Sequence, residues 1–262
     1  MKKILKNNFF YKTIKNYRVG RKINIDPINL QTVKMSKKEV HKKVLRTDVI
    51  NFLLSQLSRK TTYLEIGVRN PDDNYNHINA NKKHSVDPGI EFDENPVDFK
   101  MTSDDFFTKL NNNKVLSKNI KFDIIFIDGL HIAEQVDRDI INSLKYIKDD
   151  GFIVLHDCNP PTEWHARENY SYKHTPASGY WNGTTWKAFL KWRSNCLVKS
   201  CCIDSDWGIG VLSKTQLIGQ IIKPPVNLFY EFNTLDKNRK EHLNLIQFDE
   251  FKKMVISSST TK

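Results

Sequence analysis

The sequence predicts a doubly wound α/β fold with a mostly parallel sheet. Two apolar segments, 122–128 and 152–155, flank a region whose apolar residues recur at helical spacing, which is typical of a parallel strand–helix–strand unit. Both apolar segments are nearly continuous, so helices are expected on both faces of the sheet. Because ligands of such folds bind beyond the carboxyl ends of the strands, the polar residues at strand ends are the candidate functional residues.

Local patterns predict alternating helices and strands along the rest of the chain. The predicted helices are 47–59, 104–110, 132–147 and 186–192, and the further predicted strands are 62–68 and 83–87. Ser103 is expected to cap the second of these helices, and Gly151 is expected to end the third. Two more strands, 197–203 and 208–212, surround a turn at 204–207 and predict a C-terminal antiparallel hairpin.

Charge divides the chain into regions. Residues 1–46 hold 14 Lys and Arg against Asp26 and Glu39, whereas the remainder holds 27 basic and 28 acidic residues. We predict a basic N-terminal extension over 1–46, a main domain over 47–215, and a C-terminal extension over 216–262 with one helix, packed on the core or frayed. A basic arm can contact nucleic acid, anionic lipid or an anionic substrate, or simply be a solvated face.

Several protein classes are excluded by composition. No stretch approaches the roughly 20 apolar residues that a membrane-spanning helix needs, and the first residues lack the apolar run and cleavage site of a signal peptide. The four cysteines, Cys158, Cys196, Cys201 and Cys202, show no disulfide-framework spacing. We therefore expect reduced thiols and a cytoplasmic location.

Four strand ends carry motifs with a family resemblance. The segments are Tyr-Leu-Glu-Ile-Gly at 63–67, Ser-Val-Asp at 85–87, Ile-Asp-Gly-Leu-His at 127–131 and Leu-His-Asp at 155–157. Together they resemble the class I S-adenosylmethionine (SAM)-dependent methyltransferases over about residues 48–212. The nearest branch in pattern has Asp-Gly-x-His after one strand and His-Asp after the next, and it commonly modifies sugars and other small hydroxylated metabolites. The resemblance implies a Rossmann-like, seven-stranded sheet.

The resemblance also implies a set of cofactor-binding residues. The cofactor would be SAM, and its binding residues would be Glu65, Gly67, Asp87, Thr102, Ser103 and Asp128. Asp87 ends a strand, where a carboxylate can accept hydrogen bonds from both ribose hydroxyls. The loop after Gly67 lacks the further glycines that are usual in the family, which implies an altered loop.

The strand ends at 128–131 and 156–157 carry the candidate catalytic residues. A carboxylate at Asp128, after an apolar strand, needs a ligand, a cation or hydrogen-bond donors. His131 and His156 are candidate general bases for an acceptor hydroxyl, and Asp157 can orient either ring. By the resemblance, Asp128 and Asp157 would hold a divalent metal, Mg²⁺ or Mn²⁺. Cys158 stands where the family has a third oxygen ligand, so the metal stays open.

A long polar and aromatic loop over 158–185 is a candidate lid or substrate loop. Within and beside it, Trp164 and Trp181 suit a sugar ring, and Lys187 or Arg167 suits a phosphate. We predict an O-methyltransferase that acts on a sugar, as a nucleotide-linked or glycan precursor of a surface or capsular polysaccharide, and that forms a homo-oligomer. Two alternatives stay open: an RNA methyltransferase that uses the basic arm, although no nucleic-acid module is recognisable, and a non-catalytic ligand-binding relative.

Overall fold

The computed structural model describes residues 9–260 apart from 93, 95 and 225–228. Within these residues, seven strands form one sheet in the order β2-β1-β3-β4-β6-β5-β7. The strands are β1 (Thr62–Ile66), β2 (Lys82–Val86), β3 (Phe122–Ile127), β4 (Ile147–Leu155), β5 (Lys199–Ile203), β6 (Ile209–Ser213) and β7 (Leu245–Ile246). The first four run parallel, whereas β6 is antiparallel to β4 and β5. The predicted doubly wound α/β fold with a C-terminal hairpin is confirmed.

Helices cover both faces of the sheet. They are α1 (Phe9–Ile25), α2 (Pro27–Val40), α3 (Arg46–Ser55), α4 (Ser103–Asn111), α5 (Ala133–Tyr146), α6 (Thr185–Arg193), α7 (Phe232–Leu243) and α8 (Phe248–Thr260). Adjacent residues of β3 point to opposite faces: Ile125 joins the apolar cluster with α4, α5 and α6, and Ile124 joins the cluster with α3 and α8. The apolar strands are therefore buried on both sides, as their composition predicted.

The predicted helix end at Gly151 is wrong. Helix α5 ends at Tyr146 and β4 starts at once at Ile147, passing through Gly151. A Cβ on Gly151 would lie 2.7 Å from the carbonyl oxygen of Asp123. The glycine therefore allows two strands to approach closely beside the register shift between Phe122 and Ile124.

Two other local predictions also change. The N-terminal cap of α4 is Thr102, whose hydroxyl accepts from the Asp105 backbone N–H at 3.2 Å, and Ser103 is the first helical residue. The C-terminal region has two helices instead of one. Asn244, in the left-handed region at φ 47°, ends α7 and redirects the chain into β7.

The N-terminal helices differ in how they contact the body. Helix α2 buries Thr32, Ser36 and Glu39, which recur at helical spacing, whereas α1 buries no residue. Among the described residues, no helix is long and apolar enough to cross a membrane.

Candidate active site

The carboxyl ends of the parallel strands bring the predicted polar residues to one edge of the sheet. Gly67 follows β1, Asp128 follows β3 and His156 follows β4. Gly67 has φ +87°, and a Cβ there would overlap the backbone of Asp128 and Gly129. Only glycine allows these two strand ends to meet so closely.

Two carboxylates and two imidazoles form a compact cluster at this edge. One Asp157 oxygen, Oδ2, lies 3.1 Å from Nδ1 of both His131 and His156. Asp128 Oδ1 lies 3.3 Å from His131 Nε2 and 3.2 Å from His156 Nδ1. The structure therefore brings together all four predicted catalytic residues.

The charges in this cluster depend on one another. Burial opposes the charged form of Asp128, but His156, His131 and Arg46 outweigh it and hold the pKa of Asp128 well below its ordinary value. Burial likewise opposes the charged form of His131, but Asp157 and Asp128 raise its pKa to about 9. At neutral pH without ligands, His131 is therefore mostly protonated.

Arg46 and Asp206 complete the cluster, although neither was a sequence candidate. Arg46 Nη1 lies 3.7 Å from both Asp128 Oδ2 and Asp206 Oδ2, and its backbone N–H donates to Asp206 Oδ2 at 2.9 Å. Burial would raise the pKa of Asp206, but His156 and Arg46 lower it to about 2. A cation from the start of α3 and an anion from the β5–β6 turn thus face each other across the site.

His156 is enclosed by these groups. Arg46 Nη1 lies 2.7 Å from Nε2 of the imidazole, and Asp206 Oδ1 lies 3.2 Å from the same nitrogen. Burial lowers the pKa of His156, but Asp128 and Asp157 outweigh burial and leave it raised. Carboxylates face both ring nitrogens, Asp206 at Nε2 and Asp128 with Asp157 at Nδ1, so the protonated ring is favoured despite the nearby guanidinium.

The loop between β4 and α6 fixes the turn that carries His131. The Thr184 backbone N–H donates to the carbonyl oxygen of His131 at 2.8 Å, and the Thr184 hydroxyl accepts from the Ala133 backbone N–H at 2.8 Å. Gly183 has φ +60°, and a Cβ there would overlap that same carbonyl. The Asn182 amide donates to Asp157 Oδ1 at 2.7 Å and is fully buried. Asn182, Gly183 and Thr184 therefore position both sides of the acid–imidazole cluster.

Two clefts meet at Asp128. The first is called the catalytic cleft because it holds the four predicted catalytic residues, and it is lined by Arg46, Glu65, His131, His156, Asp157 and Trp181 among others. The second is called the cofactor groove because it holds most of the predicted cofactor-binding residues, and it is lined by Asp87, Thr102, Ser103, Gln135, Asp139 and other residues. Gly67, Asp128 and Gly129 line both. All predicted cofactor-binding residues line one or both of these clefts.

The cofactor groove has its own polar network. Asp87 Oδ1 accepts from the Gly89 backbone N–H at 2.6 Å. Gln135 Nε2 donates to Ser103 Oγ and to Asp139 Oδ1, both at 3.1 Å. Burial raises the pKa of Asp139 to about 6. The groove thus offers carboxyl, amide and hydroxyl groups beside Ile90 and Leu130, which also line it.

Glu65 is a buried carboxylate at the inner end of the catalytic cleft. Its Oε2 accepts from the Tyr63 hydroxyl at 2.6 Å and from Asn74 Nδ2 at 2.9 Å. Burial raises the pKa of Glu65 to about 7, against the lowering effect of both donors. A carboxylate held near its ionisation point suits a position that receives a cationic ligand.

The residues at this site can hold a divalent metal, but the third ligand is not of the predicted type. Asp128, His131 and Asp157 each offer a ligand atom, and these atoms lie within 4.8 Å of one another. Cys158 is fully buried, its thiol lies 3.7 Å from the His156 carbonyl oxygen, and burial raises its pKa well above the ordinary value. The third ligand would thus be an imidazole. Two carboxylates and one imidazole suit Mn²⁺ better than Mg²⁺, which prefers oxygen alone.

The predicted substrate residues separate. Trp181 lines both clefts and stacks on His131, with ring centroids 5.1 Å apart at 16°. Trp164 and Lys187 instead line a different cavity beside Tyr230 and Phe232. The Arg167 guanidinium donates to three loop carbonyls, so it holds the loop together.

Sequence reasoning missed Arg46, Asp206 and Asn182. Asn182 follows Trp181 in the loop already identified as a candidate substrate loop, so its neighbourhood carried a signal. Arg46 and Asp206 lie outside the strand-end motifs, and only the packing of α3 against β3 and the pairing of the hairpin with β4 bring them to the site.

A family model describes part of this chain. Residues 52–158 match the model of a methyltransferase domain. This segment is a methyltransferase domain. The match agrees with the seven-stranded fold, and it confirms the predicted resemblance to the class I SAM-dependent methyltransferases. The methyltransferase domain contains Glu65, Asp87 and the four predicted catalytic residues, whereas Arg46, Asn182 and Asp206 lie outside it.

Solved structures show distant similarity of fold. A putative O-methyltransferase from Klebsiella pneumoniae is 13% identical, with a TM-score of 0.42 over 77% of this chain and 96% of that one. An O-methyltransferase from Bacillus cereus in complex with SAH is 14% identical, with a TM-score of 0.42 over 72% and 91%. The O-methyltransferase TomG from Streptomyces achromogenes, in complex with SAM, is 13% identical, with a TM-score of 0.40 over 72% and 90%. No curated protein sequence gives a significant match.

Proposed function

We propose that this protein transfers the methyl group of SAM to a hydroxyl of a small polar acceptor, a sugar. The observation that carries the proposal is the meeting of two clefts at Asp128, with the acid–imidazole cluster on one side of that junction. One cleft would hold the cofactor and the other the acceptor. The methyl group and the hydroxyl would then meet beside His131.

The polar groups of the cofactor groove follow one another along the sheet edge in the order of the chemical groups of SAM. Asp87 would accept from the ribose hydroxyls, and Ser103 with Gln135 lies on the side expected for the adenine. Glu65, in the adjoining cleft, would receive the cationic amino-acid end. Gly67 between them leaves room for the cofactor at the point where both clefts meet.

His131 is the residue we propose as general base. Its side chain is 19% exposed, against 7% for His156, and it faces the cleft below Trp181. The acceptor oxygen attacks the methyl carbon, the carbon–sulfur bond breaks, and the hydroxyl proton passes to the imidazole. Asp157 orients the ring through Nδ1 and stabilises the imidazolium that forms. His156, enclosed by Arg46 and the carboxylates, orients Asp157.

A divalent cation is compatible with this site. Asp128, Asp157 and His131 would hold it, and it would lower the pKa of a hydroxyl bound beside it. Because His131 must lose its proton to bind a metal, metal binding and protonation of this ring exclude each other at the ligating nitrogen. Proton acceptance would then fall to another group near the acceptor.

The lining of the catalytic cleft favours a sugar as acceptor. Trp181 and Tyr170 offer aromatic faces, and Asn70 and Asp73 offer polar groups. Arg69 lines both clefts and can pair with the phosphate of a nucleotide-linked sugar. A glycan precursor of a surface or capsular polysaccharide is the biological context we propose. A cytoplasmic location and a homo-oligomer stay predictions.

The first test is cofactor binding. Calorimetry with SAM should show saturable binding, and Asp87→Ala should weaken it at least about tenfold because the ribose hydroxyls lose their acceptor. Asp236→Ala, at an exposed carboxylate on α7, is the matched control and should bind like the unchanged protein. No binding at millimolar SAM would contradict the methyltransferase proposal.

The second test is an acceptor screen. Transfer from radiolabelled SAM is measured over a panel of nucleotide-linked sugars, with and without chelator. Trp181→Ala should raise KM for the best acceptor about tenfold, since it removes an aromatic face from the cleft. Trp164→Ala, in the other cavity, should leave KM unchanged. Equal effects of the two substitutions would contradict the placement of the acceptor.

A further inference from the structure

Helix α1 buries none of its residues. Each of its residues is exposed apart from Gly20, which is half-buried. Large apolar side chains are among the most exposed: Phe9 and Phe10 are each 75% exposed, Tyr17 is 66% and Ile25 is 73%. Contiguous exposure of large apolar groups marks an interaction surface rather than an ordinary solvated helix.

The same helix is strongly basic. It carries five cations and no acidic residue, the cations being Lys12, Lys15, Arg18, Arg21 and Lys22. At about 100° per residue, Phe10, Ile14, Tyr17 and Ile25 fall along one stripe, and Lys12 lies opposite, between Val19 and Ile23. Arg21 lies within the stripe, where a long side chain can bring its charge back to the polar boundary.

We propose that α1 docks this protein on an anionic lipid surface. Its apolar stripe would enter the boundary between headgroups and acyl chains, and its cations would pair with anionic headgroups. A lipid surface meets both demands of the helix at once, because it covers apolar area and supplies negative charge. The inference does not depend on the proposed methyl transfer.

Charge disfavours a second copy of this helix as the occupant. Pairing two α1 helices would place five cations against five, with no acidic side chain on either to offset them. A nucleic acid would neutralise the cations, but phosphate contacts alone leave Phe9, Phe10 and Ile25 exposed to water. An anionic bilayer therefore fits the helix better than either.

The contacts of the following helix show how a membrane-bound α1 would be connected to the catalytic cleft. Helix α1 is followed directly by Asp26, which caps α2 by accepting from the Asn29 backbone N–H at 3.0 Å. Helix α2 is bound to the loop beside the site, since Ser36 Oγ lies 2.9 Å from Nε2 of the buried His165. The docking helix and the catalytic cleft are thus linked through one packed helix.

The test is binding of the full chain to vesicles of phosphatidylcholine with 30% phosphatidylglycerol, measured by flotation. Lys12→Gln/Lys15→Gln/Arg18→Gln and Phe10→Ser/Ile14→Ser/Tyr17→Ser should each lower vesicle binding at least about tenfold. Matched controls remove the same charge or apolar groups elsewhere, at the exposed positions Lys237, Lys240 and Lys253 or Leu197, Leu217 and Ile256. Both controls should bind like the unchanged protein.

Several results would overturn the inference. Equal binding to vesicles of phosphatidylcholine alone would remove the role of charge, and retained binding by the serine variant would remove the role of the apolar stripe. Binding to RNA but not to vesicles, or an α1-dependent dimer in sedimentation, would assign the helix another partner. The same variants should bind SAM like the unchanged protein in calorimetry, since α1 lies outside both clefts. A failure of vesicle binding is therefore distinguishable from a failure of the proposed function.

Discussion

Replacing Glu65 with glutamine should stabilise the cofactor-free protein at alkaline pH. Glu65 is 3% exposed, and burial raises its pKa from the ordinary 4.5 to about 7. Below pH 4.5 the carboxyl group is neutral in both folded and unfolded chains. Between pH 4.5 and about 7 the unfolded chain loses this proton while the folded protein keeps it, so stability falls over that range; above 7 the folded protein carries a buried charge that the unfolded chain carries in water.

The size of the effect follows from the two pKa values. A rise from 4.5 to about 7 corresponds to a loss of at most about 3 kcal/mol in the free energy of unfolding at pH 8. Glutamine keeps the shape and an acceptor oxygen for the Tyr63 hydroxyl and the Asn74 amide, which both donate to one oxygen of Glu65. The variant should therefore gain up to that amount at pH 8 and little at pH 5.

The assay is urea unfolding of cofactor-free protein at pH 5 and pH 8. Glu163→Gln, at an exposed position in the loop after β4, is the matched control and should leave the pH dependence unchanged. If Glu65→Gln and the unchanged protein lose stability equally between the two pH values, Glu65 does not carry a buried charge and the reasoning fails. Under the proposed function, the same variant should bind SAM more weakly, because the cationic end of SAM loses its carboxylate.

Four further predictions concern the acid–imidazole cluster. Because the pKa of His131 is about 9, kcat should rise with pH from 7 and level off near 9. His131→Asn should lower kcat about 100-fold or more. An unchanged pH profile in that variant would show that His131 is not the base. Mn²⁺ binding, measured by calorimetry, should tighten over the same pH range and be lost in Asp157→Asn; pH-independent binding would place the metal elsewhere. Arg46→Gln removes the cation facing Asp128 and should lower kcat at least about tenfold with SAM affinity nearly unchanged, whereas a loss confined to SAM affinity would contradict its place in the catalytic cleft. Gly183→Ala puts a Cβ on a residue at φ +60° against the His131 carbonyl and should cost about 2 kcal/mol or more in urea unfolding; normal stability would show that the loop is free to shift.

The strand-end residues could be predicted from sequence because their placement needs only topology. Parallel strands bring their carboxyl ends to one edge, so Asp128 after one apolar strand and Asp157 after the next had to be neighbours. His131 lies only one turn of chain beyond Asp128, and this short separation brings its ring to the observed distances from both carboxylates. This part of the site depends only on local sequence pattern and on the parallel arrangement of the strands.

The remainder depended on packing that no local pattern records. Arg46 reaches the cluster because α3 packs against the sheet beside β4, and Asp206 because the hairpin turn folds towards the same edge. Gly151 was predicted as a helix end because glycine favours both helix ends and close strand approach, and sequence alone does not separate these uses. Trp164 and Trp181 belong to the same loop, and its sequence does not distinguish their roles. In the folded protein the loop carries them to different cavities.

The division of the site between chain segments has a consequence for engineering. The matched segment 52–158 supplies the residues we assign to the cofactor, whereas Arg46, Asn182 and Asp206 enter from before and after it. A graft of residues 52–158 onto a related scaffold would therefore carry over the proposed cofactor residues and the four predicted catalytic residues, but not the groups that surround and position them. Exchanging the loop that contains Asn182 would change the aromatic lining of the cleft and would also remove the contacts that position Asp157 and His131. A transplanted site would therefore need chain from both sides of the matched segment.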